Sequence, residues 1–197
     1  MKKGKFITIY GINNIGKSTH AKILVEKLKE QGHKAVYVKY PVYDVEPSGP
    51  YINKILRGGS EQQISEEEFQ MWYAINRYQF QPQIQKYIDE GYTIIAEDYR
   101  FTGIAWGMAK GLPENWVTDL NSRMIEEDLV IMFEGNRDLS AKEKTHVHEQ
   151  NDELAEKCEQ VHNYLAKKYN WKRVEVQTKI EDTAALVWKI VEEWLTF

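Results

Sequence analysis

The stretch Gly11-Ile12-Asn13-Asn14-Ile15-Gly16-Lys17-Ser18 decides the fold of this chain. It matches the pattern G-x-x-x-x-G-K-[ST] in full, follows the apolar run Phe6–Tyr10, and opens a segment with helical spacing of apolar residues. The glycines let backbone amides curl around a phosphate, and the amino terminus of the helix adds a partial positive charge. The stretch therefore predicts a phosphate-binding loop between a strand and a helix.

This loop also predicts individual nucleotide contacts. Lys17 is expected to bridge the β- and γ-phosphates of ATP, and the Ser18 hydroxyl is expected to ligate Mg²⁺. The sequence has no N-K-x-D motif for reading guanine, which argues against a GTPase switch and favours a small kinase. The predicted ATP-binding residues are Gly11, Asn13, Asn14, Ile15, Gly16, Lys17, Ser18 and Thr19.

Outward from the loop, short apolar runs alternate with segments of helical spacing. Most of the runs are nearly continuous, as expected for strands that are covered on both faces. Strands that alternate with helices favour a parallel sheet with right-handed crossovers. We therefore predict a three-layer α/β P-loop NTPase fold, with a five-stranded parallel sheet flanked by helices. The candidate strands are Phe6–Tyr10, Ala35–Tyr40, Thr93–Ala96, Leu129–Phe133 and Arg173–Val176.

Apolar stripes at helical spacing predict helices that pack on this sheet. Gly32 and Gly91 follow two of the stripes as stop signals. We predict a single domain over residues 1–197, with shorter loops at 58–60 and 111–113. The polar stretch 136–152 is a candidate lid, because loops of this length in compact domains often bind ligands. The stripes are Ala21/Leu24/Val25/Leu28, Ile84/Tyr87/Ile88, Leu154/Cys158/Val161/Leu165 and Val187/Ile190/Val191/Trp194.

Composition and charge limit the partners. The formal net charge of −4 gives no support to a broad basic surface, so we expect neither a nucleic-acid polymer nor a membrane as partner. No apolar run approaches the roughly 20 residues that span a membrane, and we predict a cytoplasmic protein. The single cysteine, Cys158, excludes an internal disulfide and is expected to lie buried on an apolar helix face.

Between Met71 and Gly111 the chain resembles the thymidylate kinase family. Residues Met71–Tyr78, with Asn76-Arg77, resemble the family's helix that carries an A-N-R signature. Residues Glu97–Trp106 resemble its segment D-R-Y-x-x-S-G-x-A-[FY]. The similarity extends over nearly the whole chain through Gly111-Leu112-Pro113, Trp116, Leu129–Phe133, Trp171–Val174 and Ile180–Asp182.

The resemblance implies a function and a set of substrate contacts. Members of the family use ATP and Mg²⁺ to phosphorylate dTMP to dTDP, so small-molecule nucleotides are the implied substrates, and a homodimer is implied as well. Tyr73 would stack on the pyrimidine and Arg77 would hydrogen-bond to its carbonyl edge, which suits a planar, carbonyl-bearing base. The implied substrate-binding residues are Asn13, Tyr43, Tyr73, Arg77, Thr102, Gly103 and Trp106.

Several positions depart from the family pattern. Asp98 stands where the family has an arginine that grips the acceptor phosphate, and the segment Tyr40–Glu46 lacks a second such arginine. Asn13 replaces an aspartate that reads the sugar 3′-hydroxyl, and Asn14 replaces the catalytic arginine of some members. Two arginines are candidates to bind the acceptor phosphate instead, and the candidate lid adds further basic side chains. These residues are Arg57 and Arg100, and in the lid Arg137, Lys142, Lys144, His146 and His148.

A nucleoside monophosphate presents an ionised oxygen, so its phosphorylation needs alignment and charge screening rather than a general base. We predict a catalytic set of Lys17, Glu97, Asp98 and Arg100, with Glu97 joining Ser18 at the metal. Carboxylates at the carboxyl end of a strand lie where open α/β sheets bind ligands. We expect Asp98 to turn away from the acceptor phosphate, toward a cation or metal-bound water.

Two other functions stay open. A deoxynucleoside kinase, or a kinase of another nucleotide, would use Glu97 or Asp98 as the base for a neutral 5′-hydroxyl. Such an enzyme would not need arginines for an acceptor phosphate. A nucleotide-binding protein with little catalysis is the remaining alternative.

Overall fold

A computed structural model describes residues 3–57, 64–135 and 152–196 of the chain. The strands in these ranges are β1 (Lys5–Tyr10), β2 (Ala35–Lys39), β3 (Thr93–Glu97), β4 (Leu129–Glu134) and β5 (Lys172–Glu175). The helices are α1 (Lys17–Glu30), α2 (Ser48–Arg57), α3 (Glu66–Asp89), α4 (Arg100–Ala109), α5 (Glu114–Asn121), α6 (Asp152–Lys168) and α7 (Ile180–Leu195).

The five strands form one sheet in the order β2-β3-β1-β4-β5, and every neighbouring pair is parallel. This arrangement confirms the predicted parallel α/β fold. Ile9 of β1 and Lys39 of β2 both stand opposite Glu97, the last residue of β3. The carboxyl ends of these strands therefore meet at one edge of the sheet, where the segment 11–16 connects β1 to α1.

Both faces of the sheet are covered, which explains the continuous apolar runs in the sequence. Phe6 and Tyr10 of β1 belong to a core cluster that includes residues of α3, α4 and α6. Ile7 and Ile9 point to the other face and join a cluster with residues of α1 and α7. Cys158 lies fully buried on α6 in the first of these clusters, as predicted.

The boundaries differ from the prediction in a few places. Each strand begins and ends within one residue of its predicted bounds, and β2 ends at Lys39 rather than Tyr40. The helices α2, α4 and α5 had no predicted stripe of their own. The predicted loop at 58–60 and nearly all of the candidate lid lie outside the described residues, and Asp152, assigned to the lid, is the first residue of α6. Within the described ranges, the structure has no helix long and apolar enough to cross a membrane.

Candidate active site

A cleft of about 370 Å³ opens at the carboxyl edge of the sheet, next to the loop between β1 and α1. Its walls divide into two groups of residues. The loop half is formed by the segment 11–19, of which residues 13, 14 and 16–19 face the cleft, and the aromatic half consists of Tyr43, Tyr73, Arg77, Gly103 and Trp106. Further residues that line the cleft are Lys39, Tyr40, Pro41, Leu56, Arg57, Gln70, Asn76, Glu97, Asp98, Tyr99 and Thr102.

The loop half is shaped by its glycines and by Lys17. Gly11 and Gly16 have φ angles of +143° and +92°, a region that side chains with a Cβ rarely adopt. A Cβ on Gly11 would also lie 2.9 Å from the carbonyl oxygen of Phe133. The Lys17 ammonium folds back over the loop and donates to the carbonyl oxygens of Gly11, at 2.8 Å, and Ile12, at 2.9 Å. A positive charge therefore lies within the curl of the loop, the arrangement that a polyphosphate requires.

Ser18 and Glu97 converge beside the loop. The Ser18 hydroxyl donates to Glu97 Oε2 at 2.6 Å, the Tyr37 hydroxyl donates to the same oxygen, and Lys39 Nζ lies 3.1 Å from Oε1. Burial acts to raise the pKa of Glu97, but Lys17, Lys39 and the two hydroxyl donors outweigh burial and hold the pKa below its ordinary value. Glu97 is therefore ionised at neutral pH.

This oxygen pair fits Mg²⁺ better than a transition metal. A hydroxyl and one carboxylate are hard ligands, and Mg²⁺ in nucleotide sites usually takes one or two protein oxygens and completes its shell with phosphates and water. The described residues contain no cluster of three or more His, Cys, Asp or Glu side chains that could hold a metal without such a ligand. Ser18 and Glu97 could hold Mg²⁺ together with a polyphosphate.

Asp98 faces the loop half. Its backbone has a φ angle of +61°, and its Oδ1 accepts a hydrogen bond from the Thr102 hydroxyl at 2.9 Å. The same oxygen lies 3.7 Å from Lys17 Nζ. Burial and the neighbouring Glu97 raise the pKa of Asp98, while Lys17 and Thr102 oppose that rise. The carboxylate thus already has a cation and a hydroxyl as partners.

Arg77 is the charged residue of the aromatic half. It is buried, and its Nη1 donates to Asn121 Oδ1 at 2.9 Å, while its guanidinium carbon lies 6.0 Å from the centre of the Tyr73 ring. Its buried Nε has no hydrogen-bond partner among the described residues. Burial lowers the pKa of Arg77, so the charged guanidinium gains from an additional electron-rich partner such as a carbonyl oxygen.

The walls around Arg77 leave little spare room. A Cβ on Gly103 would lie 2.5 Å from Arg77 Nη2, so glycine at 103 gives the guanidinium its place. Tyr73 packs against Phe69, with ring centres 4.6 Å apart, and Trp106 is buried on α4. A flat slot that ends in an arginine fork suits a planar ring with carbonyl groups.

The structure brings most of the predicted site residues to this cleft. Gly11 and Ile15 do not line it: the Gly11 carbonyl holds Lys17, and Ile15 packs in the core behind the loop. Residues 137, 142, 144, 146 and 148 of the candidate lid lie outside the described residues. The predicted residues that line the cleft are Asn13, Asn14, Gly16, Lys17, Ser18, Thr19, Tyr43, Arg57, Tyr73, Arg77, Glu97, Asp98, Thr102, Gly103 and Trp106.

Arg100 requires a correction, because the structure does not bring it to the cleft. Its Nε donates to Glu127 Oε2 at 2.7 Å, and its Nη1 lies 3.6 Å from Glu126 Oε1. It lines a second cavity on another side of α4. The physical reason is Glu127, whose fully buried carboxylate needs a cation and whose other side-chain donor is the Tyr10 hydroxyl. Arg100 is committed to that pair.

Four functional candidates were not recognised from the sequence. Tyr37 and Lys39 reach Glu97 from β2, and the parallel register of β2 and β3 was the signal that could have found them. Asn76, noted only as part of a signature, joins α3 to the segment after β2: Nδ2 donates to the Val42 carbonyl oxygen at 2.8 Å, and Oδ1 accepts from the Val42 amide. Asn121, which holds Arg77, is 44 residues away in sequence and gave no local signal.

Comparisons with known proteins agree with this geometry. The model of the family described as thymidylate kinase matches residues 9–187. The thymidylate kinase of Homo sapiens is 26% identical over 185 residues, which cover 91% of this chain and 86% of the human protein. That of Schizosaccharomyces pombe is 32% identical over 131 residues, 66% of this chain and 61% of the yeast protein. A solved structure of thymidylate kinase from Candida albicans superposes with a TM-score of 0.80 at 26% identity, covering 97% of this chain and 92% of that one.

Proposed function

The chain belongs to the thymidylate kinase family, and on that premise we propose that it transfers the γ-phosphate of ATP to dTMP to form dTDP. One observation carries the proposal: a buried arginine without a carboxylate partner among the described residues lies in the same cleft as the phosphate-binding loop. A kinase for a nucleotide needs a site for the phosphate donor and a site for the acceptor within reach of each other. The loop half supplies the first, and the aromatic half supplies the second by binding the base of the acceptor.

In this proposal the loop half binds the polyphosphate of ATP. The backbone from Gly11 to Thr19 surrounds the β-phosphate, and Lys17 moves its ammonium from the loop carbonyl oxygens to the phosphate oxygens. Ser18 and Glu97 would hold Mg²⁺. The ion supplies neutralisation of the β- and γ-phosphate charge when it is bound.

The aromatic half binds the base of the acceptor. Tyr73 stacks on the pyrimidine, and Arg77 donates to a carbonyl oxygen of the base from a guanidinium that Asn121 holds in place. Trp106 and Gly103 close the slot. Tyr43, Asn13 and Thr102 line the remaining path toward the loop, where the sugar and phosphate of the acceptor would lie.

Transfer itself needs no proton acceptor, because the dTMP phosphate is ionised near neutral pH. The chain contributes alignment of the two anions and cations that screen their repulsion. Lys17 is the central cation, and Asp98 acts on it as a positioning residue at 3.7 Å. The two carboxylates at the end of β3 therefore serve different tasks, Glu97 at the metal and Asp98 at the lysine.

An acceptor screen tests this function. We expect ADP release with ATP, Mg²⁺ and dTMP, weaker turnover with dUMP and other monophosphates, and little with thymidine. Efficient turnover of thymidine without dTMP activity would instead identify a deoxynucleoside kinase, in which Glu97 or Asp98 removes the proton of the 5′-hydroxyl. Absence of ADP release with every acceptor would leave a nucleotide-binding protein with little catalysis.

A homodimer belongs to the same proposal. Met71, Ile75 and Tyr78 are exposed on α3 at spacings of four and three residues, so they form one apolar stripe on the outside of the helix. Such a stripe suits burial against the same helix of a second copy. Light scattering after size exclusion should give twice the chain mass of 23.2 kDa, and Ile75→Asp should shift the protein to the monomer.

A further inference from the structure

The positive charges of the cleft are unevenly placed. The basic side chains that line its described part are Lys17, Lys39, Arg57 and Arg77. Lys17 belongs to the loop half, and Arg77 lies at the far end of the slot beside Tyr73. Arg57 donates to Asn53 at 2.6 Å and stacks over the Tyr43 ring. Lys39 is the remaining one: it contacts Ser18 of the loop half, and its charge interacts with Tyr43 of the aromatic half.

The parallel register of β2 and β3 determines the position of Lys39. As the last residue of β2 it stands directly opposite Glu97 on β3, at the carboxyl edge. Its Nζ lies 3.1 Å from Glu97 Oε1 and 3.4 Å from the Ser18 hydroxyl. Its side chain is 51% exposed and therefore has room to move, whereas the Glu97 side chain is 5% exposed.

Lys39 can bring its charge to a ligand. A lysine ammonium is ordinarily protonated at neutral pH, and about half of the Lys39 side chain is open to solvent. Glu97 also has Ser18 and Tyr37 as hydrogen-bond donors, so it does not depend on Lys39 alone. The Lys39 ammonium can therefore leave Glu97 and bind an anion, because Glu97 keeps its other hydrogen bonds.

Asp98 makes such a cation necessary. Asp98 lies at the end of β3 beside the cleft, and its carboxylate is held by Thr102 and Lys17. Glu97 and Asp98 together place negative charge close to where a nucleoside monophosphate would bring its dianionic phosphate. Without a cation on the acceptor side, that phosphate would meet only repulsion from the end of β3.

We propose that Lys39 binds the 5′-phosphate of the acceptor and so supplies, from the end of β2, a positive charge that offsets the Glu97 and Asp98 carboxylates at the end of β3. This inference rests on the proposed function, since it concerns the phosphate of dTMP. The ammonium of Lys39 swings from Glu97 toward the phosphate oxygens and remains close to both. Arg57 and Tyr43 shape the wall beside it.

Equilibrium binding of dTMP and thymidine tests the proposal without ATP, Mg²⁺ or turnover. The two ligands differ only in the phosphate, so the ratio of their dissociation constants isolates the phosphate contact, and calorimetry can measure both constants. Lys39→Met keeps the apolar stem of the side chain and removes the charge. Lys39→Arg is the rescue variant. Tyr37→Phe is the matched control, because it removes another Glu97 partner from the same strand.

We expect the wild type to bind dTMP at least tenfold more tightly than thymidine. Lys39→Met should lose most of that preference through weaker dTMP binding alone, Lys39→Arg should keep it, and Tyr37→Phe should leave the ratio unchanged. If Lys39→Met retains the wild-type ratio, the proposal for Lys39 is wrong while the dTMP function stands. If Tyr37→Phe lowers the ratio as much as Lys39→Met, Lys39 acts only through Glu97, which also overturns the proposal. A wild type with no preference for dTMP contradicts both.

Discussion

The loop half of the cleft is made by one continuous segment, residues 11–19, whereas the aromatic half is assembled from parts distant in sequence. Lys17 is held by carbonyl oxygens only five and six residues away. Arg77 on α3 depends on Asn121, 44 residues further along the chain, and on the missing side chain of Gly103 on α4. The first site is a local backbone conformation, and the second is a product of how helices pack.

This difference has a functional consequence. A local loop keeps its geometry as long as its glycines and the following helix remain, so its chemistry tolerates change elsewhere. An assembled pocket changes when any contributing helix changes, so acceptor selection can shift while the loop stays intact. Substitutions should therefore separate into those that abolish transfer and those that affect only the acceptor.

The largest effect should come from Lys17→Ala. Removing the only loop cation takes away charge stabilisation of the transferring phosphoryl group, and we expect kcat to fall by about 100- to 1,000-fold. The circular dichroism spectrum should stay unchanged. Lys29→Ala is the matched control, because Lys29 lies on the exposed face of the same helix and pairs only with Glu26 in the described residues. A Lys17→Ala enzyme with more than about a tenth of wild-type kcat would contradict the assignment of the loop as the donor site.

Arg100→Ala should affect neither half of the cleft but should destabilise the fold. It removes the cation of a buried pair and leaves the Glu127 carboxylate buried without a counter-charge from Arg100, so we expect a loss of about 3 kcal/mol in the free energy of unfolding. Urea denaturation measures this loss, and the KM for dTMP should not change. Lys168→Ala, which breaks an exposed pair with Glu114, should leave stability nearly unaltered. If Arg100→Ala instead raised the KM for dTMP without loss of stability, Arg100 would be a residue of the acceptor site after all.

Arg100 and Lys39 mark the limit of what the sequence could predict. The loop and all five strands were recognisable because a local motif identifies the loop and short apolar runs, most of them nearly continuous, identify the strands. The short helices α4 and α5 pack mainly against other helices. They therefore lack the regular apolar stripe of a helix that packs on a sheet, and the spacing of apolar residues did not reveal them. The role of Arg100 depends on Glu127, and that of Lys39 on the register between β2 and β3. Glu127 and Glu97 are both far in sequence from the residues they hold, so the spacing of residues along the chain could not predict these contacts.

Arg77→Ala tests the aromatic half alone. The loss of a charge-assisted hydrogen bond to the base should weaken the acceptor by about 1–3 kcal/mol and leave the affinity for ATP unchanged. Initial rates at varied dTMP and at varied ATP separate the two effects. Arg123→Ala removes an exposed arginine and should alter neither constant. Should the KM for ATP rise as much as that for dTMP, the two halves are not independent.

Gly103→Ala should give the smallest effect, and it tests whether Arg77 is positioned by the space that its neighbours leave. The added methyl group would lie 2.5 Å from Arg77 Nη2, so the guanidinium must shift away from Asn121 or from the base. We expect acceptor affinity to fall by about 1 kcal/mol, the value of one neutral hydrogen bond. Alanine favours a helix interior over glycine by about 1 kcal/mol, so a loss of affinity would not reflect a weaker α4. A double-mutant cycle isolates the cause: in the Arg77→Ala background the same methyl group meets no guanidinium and should cost nothing more. Equal losses in both backgrounds would mean that residue 103 contacts the acceptor directly, and that the slot is defined by its walls rather than by the arginine.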